Sequence, residues 1–329
     1  MIRLLSIHLT VSVLFLVSPF ATHAKGPKIT DPKKADADFW VQGEYVGQVK
    51  TDERDVNVGI QVIALGAGKF HAVFHVGGLP GEGTGEKKTL QADGETRDGV
   101  TTFLLEDARC TIKDGVATGW DAQGNKVGTL KRVVRKSPTL GKKPPANAVV
   151  LFDGSNVDAW EGGEMTSNGL LMQGTVSKQT FGSFKLHIEF CLPYQPEDSG
   201  QQRGNSGTYM QGRYELQMLD SFGLEGKQNE CGGIYSVKAP DLNMCYPPLT
   251  WQTYDIEFVS AEYDSEGKLK ANPRMTARHN GVLIHDRVEL PGERSTTAAP
   301  VKPGPEPGPI TLQDHGCPVR YRNIWLVRE

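Results

Sequence analysis

The chain has 329 residues, a formal net charge of −3 and a sequence pI near 6.3, so it offers no basic field to attract nucleic acid or anionic lipid. With 38 glycines and 20 prolines it is rich in turn formers, which favours short strands over long helices. At roughly 150 residues per domain, this length suggests two domains.

Residues 1–24 read as a signal peptide. Arg3 supplies the positive start, Leu4 to Phe20 is mostly apolar, and Thr22-His23-Ala24 places small residues where a signal peptidase cuts. The apolar stretch falls short of the roughly 20 residues a membrane span needs and carries Ser6, His8, Thr10 and Ser12. No later segment is apolar enough to span a bilayer, so a mature periplasmic or extracellular protein is expected. Disulfides can form there. There are five cysteines, Cys110, Cys191, Cys231, Cys245 and Cys317, so at least one thiol is left unpaired. None lies in a CxxC pair of the kind that builds a zinc site. Cys231 and Cys245 are close enough in sequence to close a short loop around Tyr235.

Residues 25–37 are polar, with Pro27 and Pro32, and read as a flexible leader. From Asp38 the pattern turns to strands. Gly43-Glu44-Tyr45-Val46-Gly47 starts one, and Val56 to Val62 alternates apolar and polar residues. Phe70 to Phe74, Thr101 to Leu105, Cys110 to Ile112 and Gly115 to Ala117 continue at the spacing of a β meander. Residues 38–135 are therefore a small β sheet or barrel with a glycine-rich loop from Gly77 to Gly85. Residues 136–147, with Pro144, Pro145 and several lysines, read as an extended, solvated linker.

Residues 148–329 show the clearest alternation. Phe184-Lys185-Leu186-His187-Ile188-Glu189-Phe190 places its apolar residues on one face and its polar residues on the other, where His187 would meet solvent. Tyr214-Glu215-Leu216-Gln217-Met218 and Tyr254-Asp255-Ile256-Glu257-Phe258 repeat the pattern. Two further strands flank Asn280-Gly281, a strong type I′ hairpin signal. The whole is expected to be all-β, the second half a sandwich or jelly roll of two antiparallel sheets.

The densest polar group is Glu215-x-Gln217-x-x-Asp220, preceded by the Gly204-Asn205-Ser206-Gly207 turn and Arg213. Glu215 and Gln217 share a strand face; Asp220 rejoins it only at a bulge or strand end. Paired carboxylates on a sheet face suit sugar chemistry. His285-Asp286 and Asp314-His315-Gly316 stand at strand ends, where a neutral histidine can act as a base. Tyr209 and Tyr235 could stack on a sugar, whereas Trp251 and Trp325 read as core.

The stretch from Ala148 to Glu329 resembles the 3-keto-disaccharide hydrolase family, which is linked to 3-keto-glucoside lyase and hydratase activities. The matching words are Leu151-Phe152-Asp153-Gly154, Gly204 to Gly207, Gln211 to Gln217, Cys231-Gly232, Trp251 to Asp255, Asn280-Gly281-Val282, Pro309 to Gly316 and Tyr321 to Ile324. They run in order through nearly all of the second domain. The resemblance implies a concanavalin-like jelly roll, and the whole chain resembles exported members common in planctomycete bacteria. It also implies a site that handles a small carbohydrate. Glu215 is the leading base or acid, and His315 or His285 its counterpart. Asn205, Arg213 and Arg322 are set to polarise a ketone, and Gln217, Asp220, Asp314 and Tyr235 to hold the substrate. A nucleotide cofactor is not expected. In the 1,2-elimination that the resemblance implies, loss of the C2 proton beside a C3 ketone gives an enediolate; a divalent cation there is permitted by the Asp, Glu and His inventory, but no spacing demands one.

Two other readings stay open. Glu215-x-Gln217-x-x-Asp220 loosely resembles the E-x-D-x-x-E strand of jelly-roll β-glucanases, although glutamine at the centre and aspartate at the end depart from it. A non-catalytic carbohydrate-binding module would instead carry aromatics and amides without a carboxyl of shifted pKa. For export, N-terminal sequencing of protein recovered outside the cytoplasm should give a chain starting near Lys25; an intact Met1 in a membrane fraction would refute the cleavage site.

Overall fold

The structure, a computed structural model, describes residues 26–51, 53–82 and 88–329, so the expected signal peptide and part of the glycine-rich loop lie outside the described residues. The first half is a closed barrel of eight antiparallel strands: β1 (Gly43–Lys50), β2 (Asp55–Gly66), β3 (Lys69–Val76), β4 (Thr89–Arg97), β5 (Val100–Leu105), β6 (Ala108–Lys113), β7 (Val116–Asp121) and β8 (Lys126–Val133). Each strand pairs with the next, and β1 also pairs with β8, which abolishes free edges. Alternate residues along the strands, among them Tyr45, Ile60, Phe70, Phe103, Ile112 and Leu130, point inward and fill the lumen. The sequence does not signal β4 or β8. In β4 only Ala92 is buried, so its ladder is held by its neighbours rather than by an apolar stripe.

The second half is a sandwich. One sheet orders its strands Trp160–Glu161, Thr175–Phe181, Gly308–Leu312, Ser206–Met210 and Tyr214–Met218. The other orders Leu171–Met172, Arg320–Arg328, Phe184–Cys191, Trp251–Val259, Arg274–His279 and Val282–Glu289, with Val149–Phe152 added on Arg320–Arg328. Phe184, Leu186, Ile188, Phe190, Leu216, Met218, Ile256 and Phe258 meet between the sheets as their alternation requires. The Asn280-Gly281 hairpin forms, both residues at positive φ, 49° and 80°. Among the described residues no helix is long and apolar enough to cross a membrane, and all five cysteines are free thiols.

The two halves interlock. Ile63 of β2 belongs to the sandwich core, and Tyr194 of the sandwich belongs to the barrel core. Arg135, just past β8, donates to Glu44 Oε2 at 2.7 Å and to the Pro80 carbonyl at 2.6 Å, and its guanidinium lies 4.8 Å from the Tyr246 ring centroid. The segment read as a flexible leader is tied down: Ile29 and Tyr194 exchange backbone hydrogen bonds of 3.0 and 2.8 Å, and the Tyr194 hydroxyl donates to Asp36.

The expected solvated linker is docked as well. Ser137 is 5% exposed and hydrogen-bonds Thr253 at 2.6 Å; Thr139 donates to Asp255 Oδ2 at 2.7 Å; the Gly141 N–H donates to Glu189. Asn323 and Trp325 both donate to the Lys142 carbonyl. This cover buries the polar face of Phe184–Cys191, so His187 is buried rather than solvated. Its Nδ1 lies 2.9 Å from Asp255 and its Nε2 3.6 Å from Glu189, and its ring stacks on Trp325.

Burial alone would lower the His187 pKa, but hydrogen bonds and charge from Asp255 and Glu189 outweigh it and raise it. Burial likewise opposes ionisation of Glu189, yet hydrogen bonds from His187, Asn323, Arg322 and the Gly141 N–H bring its pKa to about 2. Asp255 is lowered too: burial opposes its ionisation, and the bonds from His187 and Thr139 prevail. The stability from protonated His187 is complete below the ordinary imidazole value of about 6.5 and is lost as pH rises through the raised folded value. The carboxylates' share is present above their ordinary values and is lost as pH falls through the lowered ones. Melting curves should therefore show a midpoint that declines on the alkaline side of neutrality. His187→Gln should lose that decline; an unchanged alkaline slope in the variant would rule out the cluster as its source.

Candidate active site

Glu215 stands in the Tyr214–Met218 strand, directly opposite Tyr209 of Ser206–Met210, and Gln217 stands opposite Gly207. Period-two geometry puts these four on one face, away from the core face of Leu216 and Met218. The same face continues through Thr311, the partner of Tyr209, to Gln313, whose N–H donates to the Gly207 carbonyl. On the outer edge the chain after Cys231 pairs with this strand: the Gln217 N–H donates to the Gly233 carbonyl at 2.9 Å, and the Tyr235 N–H to the Glu215 carbonyl at 3.2 Å.

The face is polar yet buried: Glu215, Gln217, Tyr209 and Asn205 are each 1 or 2% exposed. With its carboxamide oriented to satisfy its neighbours, Gln217 donates to Glu215 Oε1 at 3.1 Å and to the Ser206 carbonyl at 2.6 Å. The Gln313 amide donates to the Tyr209 hydroxyl at 2.9 Å, which leaves the phenol proton for the Glu215 carboxyl. Asn205 donates to both the carbonyl and the side-chain oxygen of Gln201, whose amide also lies 3.1 Å from that of Gln217. Burial pushes the Glu215 pKa up to about 8, against a smaller lowering by the Tyr209 hydrogen bond, so the carboxyl keeps its proton at neutral pH. Asn205 Oδ1, Thr311 Oγ1 and Gln313 Oε1 are buried without a hydrogen-bond partner among the described residues. Unpaired buried polar atoms are costly, and a hydroxyl-rich ligand would satisfy them.

Of the residues singled out from the sequence, Glu215, Gln217, Asn205 and Tyr235 come together here. The others do not join them. Asp220, beyond the strand end, is turned to Arg203, whose Nε donates to it at 2.6 Å. Arg213 is buried but its guanidinium is taken up by the Lys302 and Glu306 carbonyls and by Gln211. His285 lies in the other sheet with Nε2 2.7 Å from the Gly232 carbonyl, and burial lowers its pKa to about 4, which keeps it neutral. Arg322 bonds Glu189 at 2.7 Å and lies over the Trp251 ring at 4.0 Å, on the far sheet. Asp314 accepts from the Gly316 N–H on an exposed turn, and His315 is exposed beside it, two residues past Gln313. Among the described residues no group of three or more His, Cys, Asp or Glu side chains is arranged to hold a metal ion.

Residues that the sequence reading passed over complete the face. Thr311, in the Gly308–Leu312 strand, and Gln313, just past its end, keep period two, a signal that the sequence carries. By sequence Tyr209 reads as a stacking ring, whereas in the structure its hydroxyl lies between the Gln313 amide and the Glu215 carboxyl. Nothing in the sequence pointed to Gln201.

A sequence profile described as the 3-keto-alpha-glucoside-1,2-lyase-like domain matches residues 147–327. The solved structure of a candidate glycosyl hydrolase from Parabacteroides distasonis ATCC 8503 is 31% identical, covers 56% of this chain and 85% of its own, and superposes with a TM-score of 0.51. A second candidate glycosyl hydrolase from that organism is 17% identical over 56% of this chain and 94% of its own, with a TM-score of 0.41. No curated protein sequence matches the chain.

Gly207 is the steric condition for this arrangement. A Cβ at that position would fall 2.1 Å from Glu215 Oε1 and 2.8 Å from Cδ. Gly207→Ala should therefore displace the carboxyl and cost roughly 1–3 kcal/mol, the scale of overpacking. Adding Glu215→Ala, which vacates the volume, should recover much of that loss. Additive effects in a double-mutant cycle measured by denaturant unfolding would contradict the contact.

Proposed function

Because the chain belongs to the family of 3-keto-alpha-glucoside-1,2-lyase-like domains through residues 147–327, we propose that it is a carbohydrate-active enzyme that cleaves 3-keto-glucosides or 3-keto-disaccharides by 1,2-elimination, with hydration completing a net hydrolysis. The observation that carries this reading is Glu215, a buried carboxyl still protonated near neutrality and held between Tyr209 and Gln217.

A ketone at C3 acidifies the hydrogen on C2. Removal of that proton leaves an enolate, whose collapse forms the C1–C2 double bond and breaks the bond from C1 to the leaving oxygen. The leaving oxygen needs a proton, and Glu215 carries one at the pH where an ordinary glutamate does not. The Tyr209 hydroxyl and the Gln217 carboxamide, which both donate to Glu215, hold its carboxyl in place for that transfer. The unpaired oxygens of Asn205, Gln313 and Thr311 suit sugar hydroxyls. The base that takes the C2 proton would have to approach from outside the buried face, and His315, on the exposed turn two residues past Gln313, is the candidate the chain offers. Water then adds across the unsaturated ketone and returns the 3-keto sugar. Export by the N-terminal segment would place this activity in the periplasm or outside the cell.

Glu215→Gln should keep the fold and ligand binding while lowering turnover of a 3-keto-glucoside by on the order of 10²-fold or more. In the unaltered protein, turnover should fall as pH rises through about 8, where Glu215 loses its proton. Elimination also requires that the C2 hydrogen exchange with solvent. A C2-deuterated substrate that keeps its label through complete turnover in water would exclude elimination and favour direct glycosidic hydrolysis.

A further inference from the structure

The barrel lies outside the segment that matches the family profile, residues 147–327, yet its backbone reaches the supports of the Glu215 face. The link is Arg203, which is 5% exposed. Its Nη1 donates to the carbonyl of Ala64 in β2 at 3.0 Å and to the Pro196 carbonyl at 3.4 Å, and its Nη2 lies 3.5 Å from Gln42 Oε1. Gln42 Oε1 also accepts from the Ala64 N–H at 3.1 Å, so the two barrel acceptors are fixed to one another. On the sandwich side Arg203 Nε donates to Asp220 Oδ2 at 2.6 Å, and the Arg203 carbonyl accepts from the Asp220 N–H at 3.1 Å. Next to it, the Gly204 N–H donates to Gln195 Oε1.

Arg203 and Asp220 clamp the two ends of a single hairpin. Arg203 stands two residues before Asn205, where Ser206–Met210 begins. Asp220 stands three residues after Gln217, where Tyr214–Met218 ends. The register of that hairpin is what sets Glu215 opposite Tyr209 and Gln217 over Gly207. A guanidinium is a planar fork, so fixing some of its donors on the barrel fixes the direction of the rest. A carboxylate bound to it inherits that placement.

We infer that the barrel is a positioning element of the Glu215 site and acts through Arg203 as a positioning residue. It is not a separable appendage. A purely structural role would couple the barrel to stability alone, whereas this geometry couples it to the placement of the carboxyl. The kinetic part of the test rests on the reaction proposed above; the titration part does not.

The test uses the full chain with Arg203→Lys, which keeps the charge but cannot span both the Ala64 carbonyl and Asp220. Carbon-13 NMR of carboxyl-labelled glutamate, with Glu215→Gln to assign the signal, reads the titration of Glu215. Loosening the hairpin admits water, so the folded variant should titrate lower, toward the ordinary carboxylate value. On a 3-keto-glucoside its kcat should drop on the order of tenfold with KM changed much less, as expected of a misplaced group. If Arg203→Lys does not fold, Gln42→Ala, which removes one of the two barrel acceptors of the guanidinium and the bond that fixes the other, the Ala64 backbone, is read in the same way. A folded variant whose Glu215 titration matches the wild type overturns the inference. Absence of turnover in the wild type would remove the proposed reaction, and the titration would still decide the role of the barrel.

Discussion

Glu215 is buried with hydroxyl and amide neighbours, and no cation among the described residues offsets the cost of ionising it. Water is excluded from the carboxyl, so the charged form is disfavoured and the proton is retained at neutral pH. Arg213, two residues earlier, could have reversed this, but backbone carbonyls at 302 and 306 consume its donors. The absence of a partner therefore has chemical content. An arginine in contact would give an ordinary structural ion pair, whereas burial, opposed only by the weaker effect of the Tyr209 hydrogen bond, gives a carboxyl that keeps its proton up to about pH 8.

That burial depends on structure far from the carboxyl. The edge chain through Gly233 and Tyr235 covers one side of the strand, and the Arg203–Asp220 pair closes its end. The pair in turn rests on the contact between the barrel and the sandwich, where Arg203 donates to the Ala64 carbonyl and Ile63 and Tyr194 each enter the other half's core. The interface also absorbs polar groups that would otherwise be orphaned, such as Glu44 beneath Arg135. On the opposite sheet the docked linker performs a similar service for His187, Glu189 and Asp255. The molecule thus has two buried polar sheet faces of contrasting character. The far face is charged, with each of its carboxylates bonded to a cation, hydroxyl or N–H, which suits it to holding segments together. The Glu215 face is neutral and incompletely paired, which suits it to a ligand.

Much of this was legible in the sequence, because strand alternation is a local property. The inward and outward residues of Phe184 to Phe190, the Asn280-Gly281 hairpin and the shared face of Glu215 and Gln217 follow from period two and turn chemistry alone. The all-β class, with a jelly-roll sandwich behind a small β domain, followed from the same signals. Strands β4 and β8 were illegible because a barrel strand can be held by backbone ladders on both sides while most of its side chains face water.

The tertiary structure decided which polar residues act together. Polarity looks the same in sequence whether it meets solvent, a buried partner or a ligand. His187 read as a solvent-facing histidine until the linker covered it. Arg213, Arg322 and His285 read as site residues until carbonyls, Glu189 and Gly232 occupied them. Tyr209, Gln313 and Gln201 gained their roles only when strands distant in the chain were laid side by side. The sequence by itself determined the period, the turns and the face on which Glu215 lies. The protonation of that carboxyl belongs to the fold, because desolvation is set by everything packed around a group and not by its neighbours in the chain.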